Sequence, residues 1–156
     1  MIEYLKPEGL VEIIITYANG DQETVLGRNA VVRKAKEAHV LGLVNQIGDY
    51  WDFYIDKMLC GTNGTLGGVP KVVEDTRNGL FGTTLLSKSV ASLVNPQVPT
   101  QAIFTTVITF AEGNGSTINE LALQMKNGDL YSMITMPGIA KTSSAQLTIN
   151  WRLSFI

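Results

Sequence analysis

The chain has a single cysteine and a single histidine among 156 residues, and only 17% of it is charged. One cysteine, Cys60, excludes an intrachain disulfide, so folding needs no oxidising compartment. One histidine, His39, leaves no second imidazole for a metal site. The net charge of −2 gives no electrostatic footprint for nucleic acid. The apolar runs are too short to span a bilayer, and the first eight residues lack the basic start and apolar stretch of a secretory signal. The expectation is synthesis in the cytoplasm, with no membrane and no nucleic acid among the partners. No cofactor is expected either. The glycine-rich stretch from Gly61 to Gly68 lacks the lysine and following Ser/Thr of a phosphate loop and leads into no helical pattern. It reads as a flexible connection.

What the chain does have is alternation. From Gln146 to Phe155, apolar residues (Leu147, Ile149, Trp151, Leu153, Phe155) occupy every odd position with polar ones between. That period of two is a strand with one face on a core and one toward water. Upstream, Gln101–Ala111, Ile118–Met125 and Leu130–Met136 also read as strands. Glu112-Gly113-Asn114-Gly115 and Asn127-Gly128 turn between them, and Pro137-Gly138 is expected to break the third. Two glycosylation sequons, at Asn63 and Asn114, are better read as turns.

The first third opens with a hairpin, Val11–Tyr17 and Gln22–Leu26 around Asn19-Gly20. Ile13-Ile14-Ile15 is a continuous apolar run, so this strand is expected to bury both faces, one of them against a helix or a partner. Asn29 then caps an expected helix over 30–47, with Val31, Ala35, Ala38, Leu41 and Val44 on its apolar side and Gly48 at its stop. Residues 50–60 return to strand, with Trp51, Phe53 and Ile55 inward and Tyr50 and Tyr54 outward. The 61–100 segment has weak periodicity, and it either hides short strands or forms an arm ordered against a neighbour. One domain is expected, with about eight strands and one helix. The fold class is mainly β: an antiparallel β-sandwich, jelly-roll-like, with an α-helix near residues 30–47.

The residues that could carry chemistry are few. His39 reads as a helix-surface residue and Cys60 as a small hydrophobe at a strand end, and nothing in the sequence brings them together as a nucleophile pair. Asp49, Asp52 and Asp56, or Glu74 with Asp75, lack the spacing of a calcium loop. Glu112 and Glu120 flank a hairpin as a glycosidase pair would, but so do the acids of many hairpins. No catalytic, cofactor-binding or metal residue is therefore assigned, and the chain is read as a non-enzyme. Ile14, Tyr50 and Tyr54 are the candidate partner interface, the tyrosines because that residue is favoured at interfaces. The low charge and apolar balance fit an oligomer or a larger assembly.

The last hundred residues resemble a loose group of tailed-bacteriophage virion proteins. The matching positions are Phe104 and Phe110, Ile118 and Glu120-Leu121, Asn127-Gly128-Asp129-Leu130, Lys141, and Leu147-x-Ile149-x-Trp151. Gly61-Thr62-Asn63-Gly64-Thr65 is similar to the Gly-Thr-Gly turn that precedes the variable middle of those proteins. Where the group often carries an arginine after the hairpin, this chain has Met133. The resemblance implies a capsid decoration or cement protein located in the virion, made in the bacterial host cytoplasm and bound to the major capsid protein or other virion proteins. It also implies that Glu120 is an inward acid satisfied by backbone amides or by Lys141. A tail, baseplate or fibre-attachment component is the alternative, and a carbohydrate-binding module using Tyr50 and Tyr54 is a further one.

Overall fold

The computed structural model describes residues 7–44 and 53–155. Its elements are β1 (Pro7–Tyr17), β2 (Gln22–Arg28), β3 (Ala30–Val31), α1 (Arg33–Leu43), β4 (Ile55–Gly61), β5 (Thr65–Leu66), β6 (Val69–Pro70), β7 (Leu86–Ser89), β8 (Ala91–Val94), β9 (Gln101–Ile108), β10 (Thr117–Met125), β11 (Leu130–Ala140) and β12 (Ala145–Phe155). The front sheet has the order β2-β1-β12-β9-β8 and the back sheet β3-β11-β10-β4-β7, with every pairing antiparallel. Val11, Ile13, Ile149 and Trp151 from the front meet Met58, Leu121, Leu123 and Ile134 from the back in one shared core. The class is thus the expected one, a mainly β antiparallel sandwich with one helix.

β12 supplies the clearest link from sequence to packing. Ala145, Leu147, Ile149, Trp151 and Leu153 are buried and every residue between them is half-exposed. It pairs with β1 along its whole length, from Pro7 opposite Phe155 to Tyr17 opposite Ala145. The pairs β1–β12, β3–β11, β4–β10 and β8–β9 are nested, early strands meeting late ones in reverse order. Two connections also close the sides of the sandwich. Asn29 links β2 in the front sheet to β3 in the back, and Val90 links β7 in the back to β8 in the front. A strand that bends and changes sheet in this way makes a corner.

Several expectations are corrected. The helix spans Arg33–Leu43, not 30–47; Ala30 and Val31 are strand, and Ile47 and Gly48 lie outside the described residues. Its N-cap is Val32, with no side-chain cap bond, and Asn29 is the corner instead. Asn suits both roles, because its short amide tolerates non-helical backbone. The strand expected over 50–60 begins at Ile55, and Asp56 is an extra residue against β10, where Ile55 faces Met125 and Lys57 faces Gln124. This bulge shifts the alternation, so Met58 and Cys60 join Ile55 inside. Pro137-Gly138 does not break β11; the strand runs through them with a second bulge, one residue of β10 (Asn119) standing against three of β11 (Met136, Pro137 and Gly138). Ile14 is half-exposed, so the triple isoleucine buries one face of β1 and not two.

The 61–100 segment holds four short strands, β5 to β8. Its first half lies on the outer face of the back sheet, where Val73, Leu80 and Phe81 pack on a second cluster of Val32, Leu59, Ala122, Leu130 and Met133. Leu59, Ala122 and Met133 are directly opposite one another across β4, β10 and β11. The back sheet is therefore apolar on both faces, which is why Ile118 to Leu123 is buried without a break.

Candidate interface

Ile14 stands on the outer face of the front sheet, opposite Thr24 of β2 and Thr148 of β12. None of the outward side chains of this sheet is buried, from Gln22, Thr24, Leu26 and Arg28 on β2 to Ala91 and Leu93 on β8. A hydrogen-bonded row crosses three of its strands: Asn150 Nδ2 donates to Glu12 Oε1 (3.2 Å) and Thr105 Oγ1 donates to Asn150 Oδ1 (2.9 Å). Leu10, Leu26 and Leu93 are exposed on the same face. Tyr54 is exposed at the bend before β4, where its carbonyl accepts from the Lys126 amide. Ile14 thus lies within the front sheet and Tyr54 on the approach to β4 of the back sheet, and Tyr50 lies outside the described residues.

The residues weighed for catalysis are occupied by packing. His39 Nε2 lies 2.6 Å from Tyr131 Oη, and its ring meets those of Tyr131 and Phe155 edge-on. Burial lowers the His39 pKa from its ordinary value and pushes Tyr131 up to about 12. Cys60 is buried in the core, and burial raises its thiol to about 12. Glu112 pairs with Lys88 and accepts from the Thr109 amide, and these bonds, the lysine's first, hold its carboxyl below the usual range. Asp75 faces Arg33 at 3.7 Å and Lys36 at 3.9 Å, and Asp56 faces Lys126 at 3.7 Å; Asp49 and Asp52 lie outside the described residues. Among the described residues no group of three or more His, Cys, Asp or Glu could hold a metal ion.

Glu120 is fully buried on the covered face of the back sheet. Its two oxygens accept from the Asn63 amide (3.0 Å) and the Phe81 amide (2.7 Å), so it is satisfied by backbone and not by Lys141. Lys141, also buried, donates to Asn114 Oδ1 (2.8 Å) and the Thr142 carbonyl (2.9 Å). Burial lowers its pKa, with the Glu112 charge acting in the opposite sense. Asn119 continues the network beside Glu120, accepting from the Gly64 amide (2.7 Å) and donating to Thr65 Oγ1 (3.1 Å). Gly61 faces Glu120 so closely that a Cβ there would sit 2.5 Å from Oε1.

These bonds hold the glycine-rich stretch as a defined hairpin rather than a flexible connection. Thr65 pairs with Pro70 and Leu66 with Val69. Gly67 and Gly68 turn it with φ of 58° and 80°, a two-residue turn that side chains with a Cβ disfavour. Lys71 donates its amide to the Gly64 carbonyl, and Thr135 Oγ1 bonds the Lys71 carbonyl. Sequence reasoning missed this hairpin as a candidate surface, although Leu66-Gly67-Gly68-Val69 is an apolar pair around a Gly-Gly turn. Elsewhere, Arg28, Lys36, Arg152, Glu8 and Asp75 rim a cleft of about 650 Å³ at the open end of the sandwich.

No protein-family model matches this chain, and neither a curated protein nor a solved structure matches it.

Proposed function

We propose that this chain is a non-enzymatic structural protein of a tailed-phage virion, a capsid decoration or cement protein that bridges shell subunits and binds the major capsid protein. The observation that carries this reading is where the resembling residues fall. Glu120 fastens the Gly61–Gly64 turn, Lys141 ties the loop before β10 to the one before β12, and Leu147, Ile149 and Trp151 fill the core. The motif shared with that group is thus the framework of a rigid module. The nested strand pairing supports the jelly-roll-like wiring expected with it. His39 and Cys60, engaged in packing, favour an adhesive role over a chemical one.

Adhesion would work by repetition. The uncharged, Ile14-bearing half of the front sheet offers an open contact face, and many copies on one lattice make modest contacts act together. Counting the chain in purified particles by quantitative mass spectrometry tests the reading. A copy number on the order of hundreds places it on the capsid; about a dozen moves it to the tail, baseplate or a fibre attachment. Absence from the particle overturns the virion reading.

A further inference from the structure

The chain contains five Asn-Gly pairs, beginning at Asn19, Asn63, Asn78, Asn114 and Asn127. In such a pair the glycine's backbone nitrogen can attack the asparagine side-chain carbonyl, because no Cβ hinders its approach. The attack needs a free glycine N–H and a free asparagine amide. At four of the five pairs the fold engages both. Gly20, Gly115 and Gly128 donate their amides to the carbonyls of Tyr17, Lys141 and Met125, each at 2.9 Å, and Gly64 donates to Asn119 Oδ1 at 2.7 Å. The asparagine side chains are held as well. Asn19 Oδ1 accepts from the Asp21 amide (3.0 Å), Asn114 Oδ1 from Lys141 Nζ (2.8 Å) and Asn127 Oδ1 from the Asp129 amide (2.9 Å). Asn63 Nδ2 donates to the Phe81 carbonyl (3.2 Å).

Asn78 stands apart from these four. It is exposed, and among the described residues neither its side chain nor the Gly79 amide has a hydrogen-bond partner. A Cβ at Gly79 would meet nothing within 4 Å, so the space around the attacking nitrogen is open. A cation is fixed beside it: Arg77 donates from Nε (3.2 Å) and Nη2 (2.9 Å) to the Gly79 carbonyl and from Nη2 (2.8 Å) to the Leu80 carbonyl. Positive charge at that distance favours the ionised form of a neighbouring acid, here the Gly79 N–H that must lose its proton to attack.

We propose that Asn78 is a self-modification site, where the Gly79 amide closes on the Asn78 side chain and converts it to an aspartyl or isoaspartyl residue with water as the only co-reactant. Gly79 N gives up its proton to solvent hydroxide and bonds to Asn78 Cγ. The Cγ–Nδ2 bond breaks, and the side-chain nitrogen leaves as ammonia, taking a proton from water. Water then opens the five-membered imide. Opening at Cγ leaves aspartate, and opening at the backbone carbonyl leaves isoaspartate, with the chain running through Cβ. Either product puts a carboxylate beside Arg77, whose guanidinium lies 4.0 Å from the Phe81 ring centre. The isoaspartyl form also lengthens the backbone just before Leu80 and Phe81, which pack on the second core. The change therefore falls on the cover of the back sheet.

The test is peptide mapping by mass spectrometry of the full chain, incubated in mildly alkaline, isotope-labelled water both folded and in denaturant. The denatured chain gives each pair its reference rate. Folded, Asn78 should convert within about threefold of that reference, and the other four should each be slowed about tenfold or more, since their amides react only on local opening. Gly79→Ala should slow conversion at Asn78 about tenfold while the thermal midpoint stays within about 2 °C, the space there being open. Asn78 slowed like the others, another pair converting as fast in the folded chain, or a rate indifferent to Gly79→Ala overturns the proposal. Particle copy number has no bearing on these rates, so this proposal and the virion reading fail separately.

Discussion

The two sheets of this sandwich are built from the same kinds of strand and treat their outer faces oppositely. The front sheet leaves its outer face open: Ile14, Thr148 and Val107 stand half-exposed across three strands. The back sheet covers its own with the 61–85 stretch and buries Leu59, Ala122 and Met133 beneath it. One sheet therefore shows alternating burial, while β10 at the centre of the other is buried without a break from Ile118 to Leu123, Asn119 and Glu120 included. The difference is made by a segment that has no periodicity itself, because backbone hydrogen bonds to Asn119 and Glu120 hold it, not a repeating face.

Substitutions that strike one face and spare the other sharpen this contrast. Glu120→Ala should have the largest effect. It removes the acceptor of the Asn63 and Phe81 amides and empties a fully buried position, and should cost about 3 kcal/mol or more in chemical denaturation, with amide exchange accelerated across 62–82. Met133→Ala empties part of the second core and should cost about 2–4 kcal/mol. Ile14→Ala, on the open face, should stay within about 1 kcal/mol in the same titration. Equal losses at positions 133 and 14 would abolish the distinction between the faces.

Smaller effects follow from the titratable groups. Burial depresses the folded pKa of His39, so the unfolded chain binds the extra proton first as pH falls. The stability His39 contributes is present above its unfolded pKa of about 6.5 and is lost as pH drops through the folded value. Because the ring is partly exposed, the loss should be modest: a small fall in the denaturation midpoint between about pH 7 and pH 5.5 that His39→Gln removes. Cys60 should resist a thiol reagent at pH 8 until the chain unfolds, with a modification rate that tracks global opening.

How far the sequence could be read follows from the same contrast. β12 was legible because one core faces it and water faces its other side. The hairpins at Asn19-Gly20 and Asn127-Gly128 were legible because only certain residues accept such turns, and both glycines have positive φ. The phase of β4 was not, because the extra residue at Asp56 leaves no mark in composition. Asn29 was misassigned as a cap because the same side chain suits a corner between sheets. Tyrosine enrichment pointed to Tyr50 and Tyr54, of which Tyr54 lies among the described residues and is exposed, while the paired and exposed Leu66 and Val69 sat in a stretch that reads as a flexible connection.

The pairing of Pro7 with Phe155 has a consequence for how this chain could be rewired. Paired strands run about 5 Å apart, so the two ends of the described fold are neighbours. A short linker from the last strand into the first would make the backbone a closed ring. New ends could then be opened at Asn127-Gly128, an exposed tight turn whose amide and carbonyl bonds are local. Such a circular permutant would keep every strand pair and the Glu120 anchor. Its termini would sit at the β10–β11 turn, so a fused cargo would leave from there and not from the end of the sandwich where β1 begins.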